Sequence, residues 1–280
     1  MTPAQIQHWL TNFVPGRSKP LVMGVLNVTP DSFSDGGKFD TIGSAVAQAE
    51  RLIEDGADLL DIGGESTRPG SDPVDAAEQI RRTKPVIEAV RAKYEIALSI
   101  DTTRADVAAA ALDAGACMLN DVAAGRDDAS MLRLAAERAV PIVLMHMRGM
   151  PKTMQADPTY ADVTAEVIDF LGERLNIARE CGVGQILVDP GIGFGKTTEH
   201  NLQLLRDLRR FAELGPVLIG TSRKRFLGEI TGETDPAARD HATTATTVWA
   251  ALQGAAIIRV HNARAARHAV DVAAAIHAND

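Results

Sequence analysis

The chain has 280 residues, 45% of them hydrophobic, and a formal net charge of −8. That is enough apolar material for one large domain, and the acidic balance excludes nucleic acid or an anionic membrane surface as the main partner, so any positive charge that matters must be local. Two cysteines, Cys117 and Cys181, make neither a disulfide framework nor a metal-ligand spacing and read as packed side chains. Met1 to Phe13 lacks a basic start and a continuous apolar stretch, so no secretory signal is visible and a cytoplasmic protein is expected.

In chain order, residues 1–18 read as an appendage that covers one end of the molecule. Residues 19–280 then repeat a short apolar, β-branched run followed by a longer helical pattern. The predicted strands are Leu21–Asn27, Asp58–Gly63, Ile96–Asp101, Cys117–Asn120, Pro141–His146, Gln185–Asp189, Val217–Thr221 and Ala256–Val260. Their unbroken hydrophobicity says that both faces are covered, as in a parallel sheet under helices. Asp40 is expected to cap a helix with Ile42, Val46, Ala49 and Ile53 on its inner face, ended by Gly56. Asp72-Pro73 and Asp235-Pro236 read as a cap followed by proline at the first helical position, and Pro85 as a break or kink. A helix from about Asp162 turns Val163, Val167, Phe170 and Ala178 inward. The uncharged run Ala242–Ile258 contains four threonines, Gln253 and Gly254, and reads as a buried helix and strand rather than a membrane span. Asn262 is placed to cap a last helix carrying Val270, Ala273 and Ile276. Eight such units with no linker predict a single-domain (β/α)8 TIM barrel, with an open doubly wound sheet as the alternative.

The informative pattern is where the polar residues fall. Each predicted strand ends in polar residues: Asn27, Gly63-Gly64-Glu65-Ser66-Thr67-Arg68-Pro69, Asp101, Asn120, His146, Asp189-Pro190-Gly191, Ser222-Arg223-Lys224, and Arg259 with His261. Active sites of such barrels are built at the C-terminal ends of the strands. Helix capping accounts for an isolated Asp or Asn, but it does not call for Lys224, Arg259 or His146. The long first loop, residues 28–37, holds Asp35 and Phe33 and reads as a lid. Arg68 suits bidentate recognition of phosphate. The segment Asp189–Thr197 is not a P-loop, because Pro190 stands where the first glycine of that motif belongs. It reads as a glycine-rich loop presenting Phe194 as an aromatic wall. Arg223, Lys224 and Arg225, with Arg259 and His261 on the next strand, are expected to bind an anion. Asp101, Asn120 and Asp189 project from three strands and suit a flat heterocycle rich in N–H donors. Asn27 and phosphate oxygens suit a largely hydrated Mg²⁺.

Taken together, Asn27–Gly37, Gly63–Gly70, Asp189–Lys196, Ser222–Lys224 and Arg259–His261 resemble the signature segments of the dihydropteroate synthases, in the same order and over essentially Leu21 to Ile276. The resemblance implies a (β/α)8 barrel that condenses 6-hydroxymethyl-7,8-dihydropterin diphosphate with 4-aminobenzoate, giving 7,8-dihydropteroate and pyrophosphate. That is a step of folate biosynthesis and the target of sulfonamides; Mg²⁺ as cofactor and a homodimer are usual. Matched motif by motif, Asp101, Asn120, Asp189 and Lys224 are pterin-binding positions. Asn27 is the Mg²⁺ and pyrophosphate position, and Thr67, Arg68, Arg259 and His261 surround the diphosphate. Pro69, Phe194 and Lys224 wall the aminobenzoate site. Asp35 is the loop carboxylate that acts with Asp101, and Asp35, Asp101 and Lys224 are the implied catalytic residues. Two departures stand out. Asn262 follows the Arg-Val-His triplet where many relatives carry Asp, and capping is expected to survive. Arg225 stands where some relatives have Ser, which predicts a more basic aminobenzoate end.

Two rivals make different demands. A non-catalytic pterin-binding barrel need not keep the two loops, and a folate-dependent methyltransferase barrel needs neither the Glu65–Pro69 loop nor the cations of the last two strands. The alanine-rich last two helices suit either a partner subunit or the barrel itself.

Overall fold

The computed structural model describes residues 1–29, 38–66, 71–149, 153–155 and 158–277. Eight strands form one parallel sheet: β1 (Leu21–Asn27), β2 (Leu59–Gly63), β3 (Ala97–Asp101), β4 (Met118–Asp121), β5 (Ile142–Met145), β6 (Ile186–Asp189), β7 (Leu218–Ile219) and β8 (Ile257–Val260). Their order is β6-β5-β4-β3-β2-β1-β8-β7. A parallel bridge between Val188 and Val217, with Val188 N donating to Pro216 O at 3.0 Å, joins the two ends and closes the barrel.

Side-chain alternation divides the apolar residues into two sets. Val22, Leu60, Ile62, Leu98, Ile100, Leu119, Leu144 and Ile258 point outward and pack against the surrounding helices. Leu21, Met23, Leu59, Ala97, Met118, Val143, Leu187, Leu218 and Ile257 point inward and fill the floor of the barrel. Helix α1 (Pro3–Asn12) closes that floor from below with Ile6 and Leu10. Its start is tied down by Met1, whose carbonyl accepts from Ala97 N at 2.6 Å and whose ammonium donates to Asp58 O at 2.9 Å. With the N-terminal end plugged by apolar side chains, polar groups collect at the other end.

Several helix boundaries differ from the sequence expectation. Helix α2 (Lys38–Glu54) starts at Lys38, so Asp40 lies inside its first turn rather than at the cap; Gly56, at φ +93°, follows its end. Helix α3 (Ala76–Lys93) is capped by Asp75, whose side chain accepts from Glu78 N at 2.8 Å, and not by Asp72. Pro85 lies within α3 without ending it, because Thr83, Val86, Ile87 and Val90 are buried on either side and hold the helix through the missing hydrogen bond. Helices α4 (Ala105–Asp113) and α5 (Ser130–Glu137) follow β3 and β4, and α6 (Val163–Glu180) is capped by Asp162. Helices α7 (Thr198–Arg206) and α8 (Leu208–Ala212) follow β6, and α9 (Arg225–Thr231) follows β7. Asp235 accepts from Ala237 N at 2.9 Å at the start of a 3₁₀ turn that leads into α10 (Asp240–Leu252). Asn262 caps α11 (Ala263–His277), its Oδ1 accepting from Ala265 N at 3.0 Å. Val270 and Ala273 are buried, but Ile276 is exposed. Among the described residues no helix is long and apolar enough to cross a membrane.

Candidate active site

Register sets the geometry of the mouth. Asn27 pairs with Gly63, Gly63 with Asp101, and Asp101 with Asn120, so these four positions occupy one level across β1 to β4. Two residues lower on the same inward face lie Asp61 and Ser99, themselves paired. Asp189 ends β6 opposite Met145. Above an apolar floor the barrel therefore becomes ionic within two residues.

Arg259 bridges these layers. Its Nε donates to Asp61 Oδ2 at 2.6 Å and its Nη2 to Asp101 Oδ2 at 2.8 Å. Asn120 Nδ2 also donates to Asp61 Oδ2, at 2.9 Å, so one carboxylate orients both a cation and an amide. Asp101 is pushed up to about 7 by burial, with Arg259 opposing and the charges of Asp61 and Asp121 adding. Asp189 is also raised by burial, against the pull of Lys224. Asp101 Oδ1, Asp61 Oδ1 and Ser99 Oγ are buried and have no hydrogen-bond partner among the described residues. Buried acceptors of this kind seek donors, and Asp101 stands at the C-terminal end of β3.

The cations expected to act as a cluster separate. Arg223, at φ +59°, turns away from the mouth and makes a two-pronged ion pair with Asp240 at 2.7 and 2.9 Å. Asn262 Nδ2 donates to the same Asp240 at 3.0 Å. Arg225 is exposed and paired with Glu229 at 2.7 Å, one turn along α9, so its charge is matched there. Lys224 alone of the three points into the mouth. Burial pulls it down to about 8, with Asp189 and Asp101 opposing and Arg259 adding to the pull. Its Nζ donates to Ile192 O and lies 4.6 Å from the centre of the Phe194 ring. His261 Nδ1 and N both meet Ser222 Oγ, at 2.9 and 3.1 Å, linking the ends of β7 and β8.

The loop after β6 is held by its own amides. Gly191 N donates to Asp189 Oδ1 and Gly193 N to Asn201 Oδ1, both at 2.7 Å. Those N–H groups are satisfied within the protein and unavailable to a phosphate, in agreement with the missing P-loop glycine. Gly191, Gly193 and Gly195 adopt φ of +68°, +82° and +64°. A Cβ on Gly191 would stand 1.8 Å from His146 O, and one on Gly195 2.4 Å from Arg148 O, so only glycine lets this loop lie flat on the segment after β5.

Asn27 is half-buried at the end of β1. Its Oδ1 would lie 3.5 Å and Asp101 Cβ 3.7 Å from a Cβ on Gly63, so the two polar residues flank that glycine. Asp35, Thr67, Arg68 and Pro69, with the other residues of 30–37, lie outside the described residues. Asn27, Asp101, Asn120, Asp189, Phe194, Lys224, Arg259 and His261 all belong to strand ends, or to the loops that follow them, on the same face of the barrel.

Sequence reasoning missed Asp61. A carboxylate inside a strand buried on both faces was the available signal. It also missed the pairing of His146 with Lys196, whose Nζ meets His146 Nδ1 at 2.9 Å. Asp121, which extends β4 by one residue, is structural: its carboxylate accepts from Ala123 N and Gly125 N at 2.8 and 2.6 Å.

Comparison with known proteins adds three findings. Residues 23–261 match the family described as pterin binding enzyme. A dihydropteroate synthase of Synechocystis sp. is 47% identical over 258 residues, covering 91% of this chain and 89% of that protein. A Xanthomonas albilineans dihydropteroate synthase solved with 4-aminobenzoic acid superposes with a TM-score of 0.88 at 49% identity, covering 93% of this chain and 94% of the other. The Xanthomonas enzyme in complex with 7,8-dihydropteroate gives a TM-score of 0.85 at 44% identity, covering 96% and 98% of the two chains.

Proposed function

The chain belongs to the dihydropteroate synthases within the pterin-binding enzymes, and from that premise we propose how its residues divide the work of the reaction. The enzyme is a transferase that joins 6-hydroxymethyl-7,8-dihydropterin diphosphate to 4-aminobenzoate, forming 7,8-dihydropteroate and releasing pyrophosphate.

In this reading the pterin ring lies between Asp101, Asn120 and Asp189, with Lys224 at its edge. The two carboxylates accept from ring and amino N–H groups, each such charged hydrogen bond contributing roughly 1.5–3 kcal/mol. The diphosphate extends toward Arg259 and His261, with Asn27, Thr67 and Arg68 around it. The aminobenzoate sits against Phe194 and Pro69, with Lys224 facing its carboxylate. What supports this division most is that acceptors and cations share one barrel mouth: Lys224 feels the charges of Asp189, Arg259 and Asp101 together.

The chemistry then runs in a definite order. The methylene C–O bond breaks, and pyrophosphate leaves with the bonding pair, its charge balanced by Arg259, His261 and Arg68. The methylene is left cationic and conjugated with the ring, and Asp101 and Asp35 stabilise it electrostatically. The lone pair of the arylamine forms the new C–N bond, and the nitrogen then loses a proton to water.

Mg²⁺ would be held at Asn27, at the end of β1. Among the described residues no group of three or more His, Cys, Asp or Glu forms a metal cage. Asn27, an oxygen donor half-buried at the end of β1, suits an ion that keeps most of its water and takes its other oxygens from phosphate. When bound, the ion would supply charge neutralisation for the leaving group. We also propose a cytoplasmic homodimer, supported by Trp249, Val272 and Ile276, which are exposed large apolar side chains on α10 and α11.

A coupled pyrophosphate-release assay tests the assignment. Wild-type enzyme supplied with both substrates and Mg²⁺ should release one pyrophosphate per dihydropteroate formed. Asp189→Asn should lose at least about tenfold in kcat/KM for the pterin substrate, as for one charged hydrogen bond. An unchanged kcat/KM in Asp189→Asn would reject this placement of the ring.

A further inference from the structure

The loop that carries Phe194 is fastened to the barrel by a buried lysine. Lys196 is only 3% exposed. Its three N–H directions end on His146 Nδ1 at 2.9 Å, Phe194 O at 3.0 Å and His146 O at 3.4 Å. Burial draws this amine well below the ordinary lysine value, with Asp189 opposing and Lys224 and Arg148 adding to the pull; its buried N–H groups are costly unless they find partners, and three lie within reach. The acceptors lie on two separate elements, the end of β5 and the loop after β6.

The surroundings keep this tether rigid. His146 packs edge-on against Phe170, with ring centres 4.9 Å apart. Burial, with Lys196, Arg126 and Arg148 nearby, draws its pKa down to about 2, so the ring is neutral, and its Nε2–H tautomer leaves Nδ1 as the acceptor facing Lys196. Tyr160 Oη donates to Gly195 O at 2.8 Å, and Gln155 Nε2 to Gly193 O at 2.6 Å. The contact of Gly191 with His146 O leaves no room between loop and barrel. On the opposite side of the same loop, Ile192 O accepts from Lys224 Nζ, which lies over the Phe194 ring.

The loop thus meets Lys196 at Phe194 and Lys224 at Ile192, two residues apart. We propose that Lys196, held by His146, is a positioning residue for the aminobenzoate subsite: it sets the depth of Phe194 and the direction of Lys224 without touching substrate. This rests on the reading of Phe194 and Lys224 as walls of that subsite. It predicts selectivity. Asp101 and Asn120 stand on β3 and β4 and do not depend on the tether, whereas Asp189 and Lys224 feel it, so the aminobenzoate end should lose clearly more than the pterin end.

The test is steady-state kinetics with each substrate varied in turn, on Lys196→Met and Phe194→Ala, with thermal unfolding of each variant. Lys196→Met should raise KM for 4-aminobenzoate about tenfold and KM for the pterin diphosphate by about threefold at most. His146→Gln, which keeps an acceptor, should stay near wild type, and His146→Leu should copy Lys196→Met. If Lys196→Met does not accumulate as folded protein, Lys196→Gln takes its place, and the same split at smaller size is expected. Parallel rises in both KM values, or a lower Tm with both unchanged, would overturn the proposal. Phe194→Ala separates the two levels. If it leaves the aminobenzoate KM untouched, the reading of the wall falls and the positioning role falls with it. If it raises that KM while Lys196→Met does not, the tether alone is wrong.

Discussion

Replacing Asp61 with asparagine removes one charge and almost no volume. Asp61 Oδ2 holds Arg259 Nε at 2.6 Å and Asn120 Nδ2 at 2.9 Å, and its side chain is fully buried. Breaking a buried ion pair by removing one partner costs about 3–5 kcal/mol. Arg259 keeps Asp101 at 2.8 Å, and 22% of its side chain reaches solvent, which places the expected cost at the lower end, about 3 kcal/mol. For a domain of this size each kcal/mol lowers Tm by about 2–4 °C, so a fall of about 6–12 °C is expected. Two kinetic effects should accompany it. Arg259 and Asn120 lose their common anchor, so kcat/KM for the pterin diphosphate should fall about 10- to 100-fold. The charge of Asp61 also raises Asp101, so its removal should move the acid limb of the pH profile downward. Thermal unfolding and kcat/KM measured across pH on one purified variant read all three. A Tm within about 2 °C of wild type, together with an unmoved acid limb, would refute the anchoring role.

Other consequences can be measured on the same enzyme. Asp101 must be a carboxylate to accept ring N–H groups and Lys224 an ammonium to face a carboxylate. With these groups near 7 and 8, kcat/KM for the pterin substrate should fall below the first value as Asp101 gains a proton and above the second as Lys224 loses one; a flat profile across both would contradict the assignment. Lys224→Ala should lose roughly 10²–10³ in turnover, as for one preorganised electrostatic group, and a near-wild-type steady-state rate would discard its role. Arg225→Ser should leave the aminobenzoate KM unchanged and stability within about 0.5 kcal/mol, because its charge is exposed and matched by Glu229. A lowered affinity in that variant would show that the residue does reach the substrate.

The parts of this fold legible in the sequence are those set by local pattern. Every one of the eight predicted strands overlaps an observed one, because a strand covered on both faces must be apolar throughout and the runs are separated by clear helical periods. The strand-end positions of Asn27, Asp101, Asn120, Asp189 and Arg259 followed from the same reading. What sequence hid depends on distant partners. Asp61 gains its meaning from Arg259, 198 residues away, and from Asn120. The division of Arg223, Lys224 and Arg225 follows from a left-handed backbone at Arg223 and from Asp240, 17 residues on, neither of which a basic triplet announces. Helix starts failed where two caps competed: Asp72 precedes a proline, yet Asp75 is the residue that caps. Pro85 misled because tertiary burial of α3 outweighs one missing hydrogen bond.

A crystal of this enzyme soaked with 6-hydroxymethyl-7,8-dihydropterin diphosphate would examine the shared mouth directly. The ring should lie within hydrogen-bond reach of the carboxylates of Asp101 and Asp189 and the amide of Asn120, with its diphosphate against Arg259 and His261. Ring density on any other surface, or a diphosphate bound away from Arg259 while the ring sits at Asp189, would contradict the account.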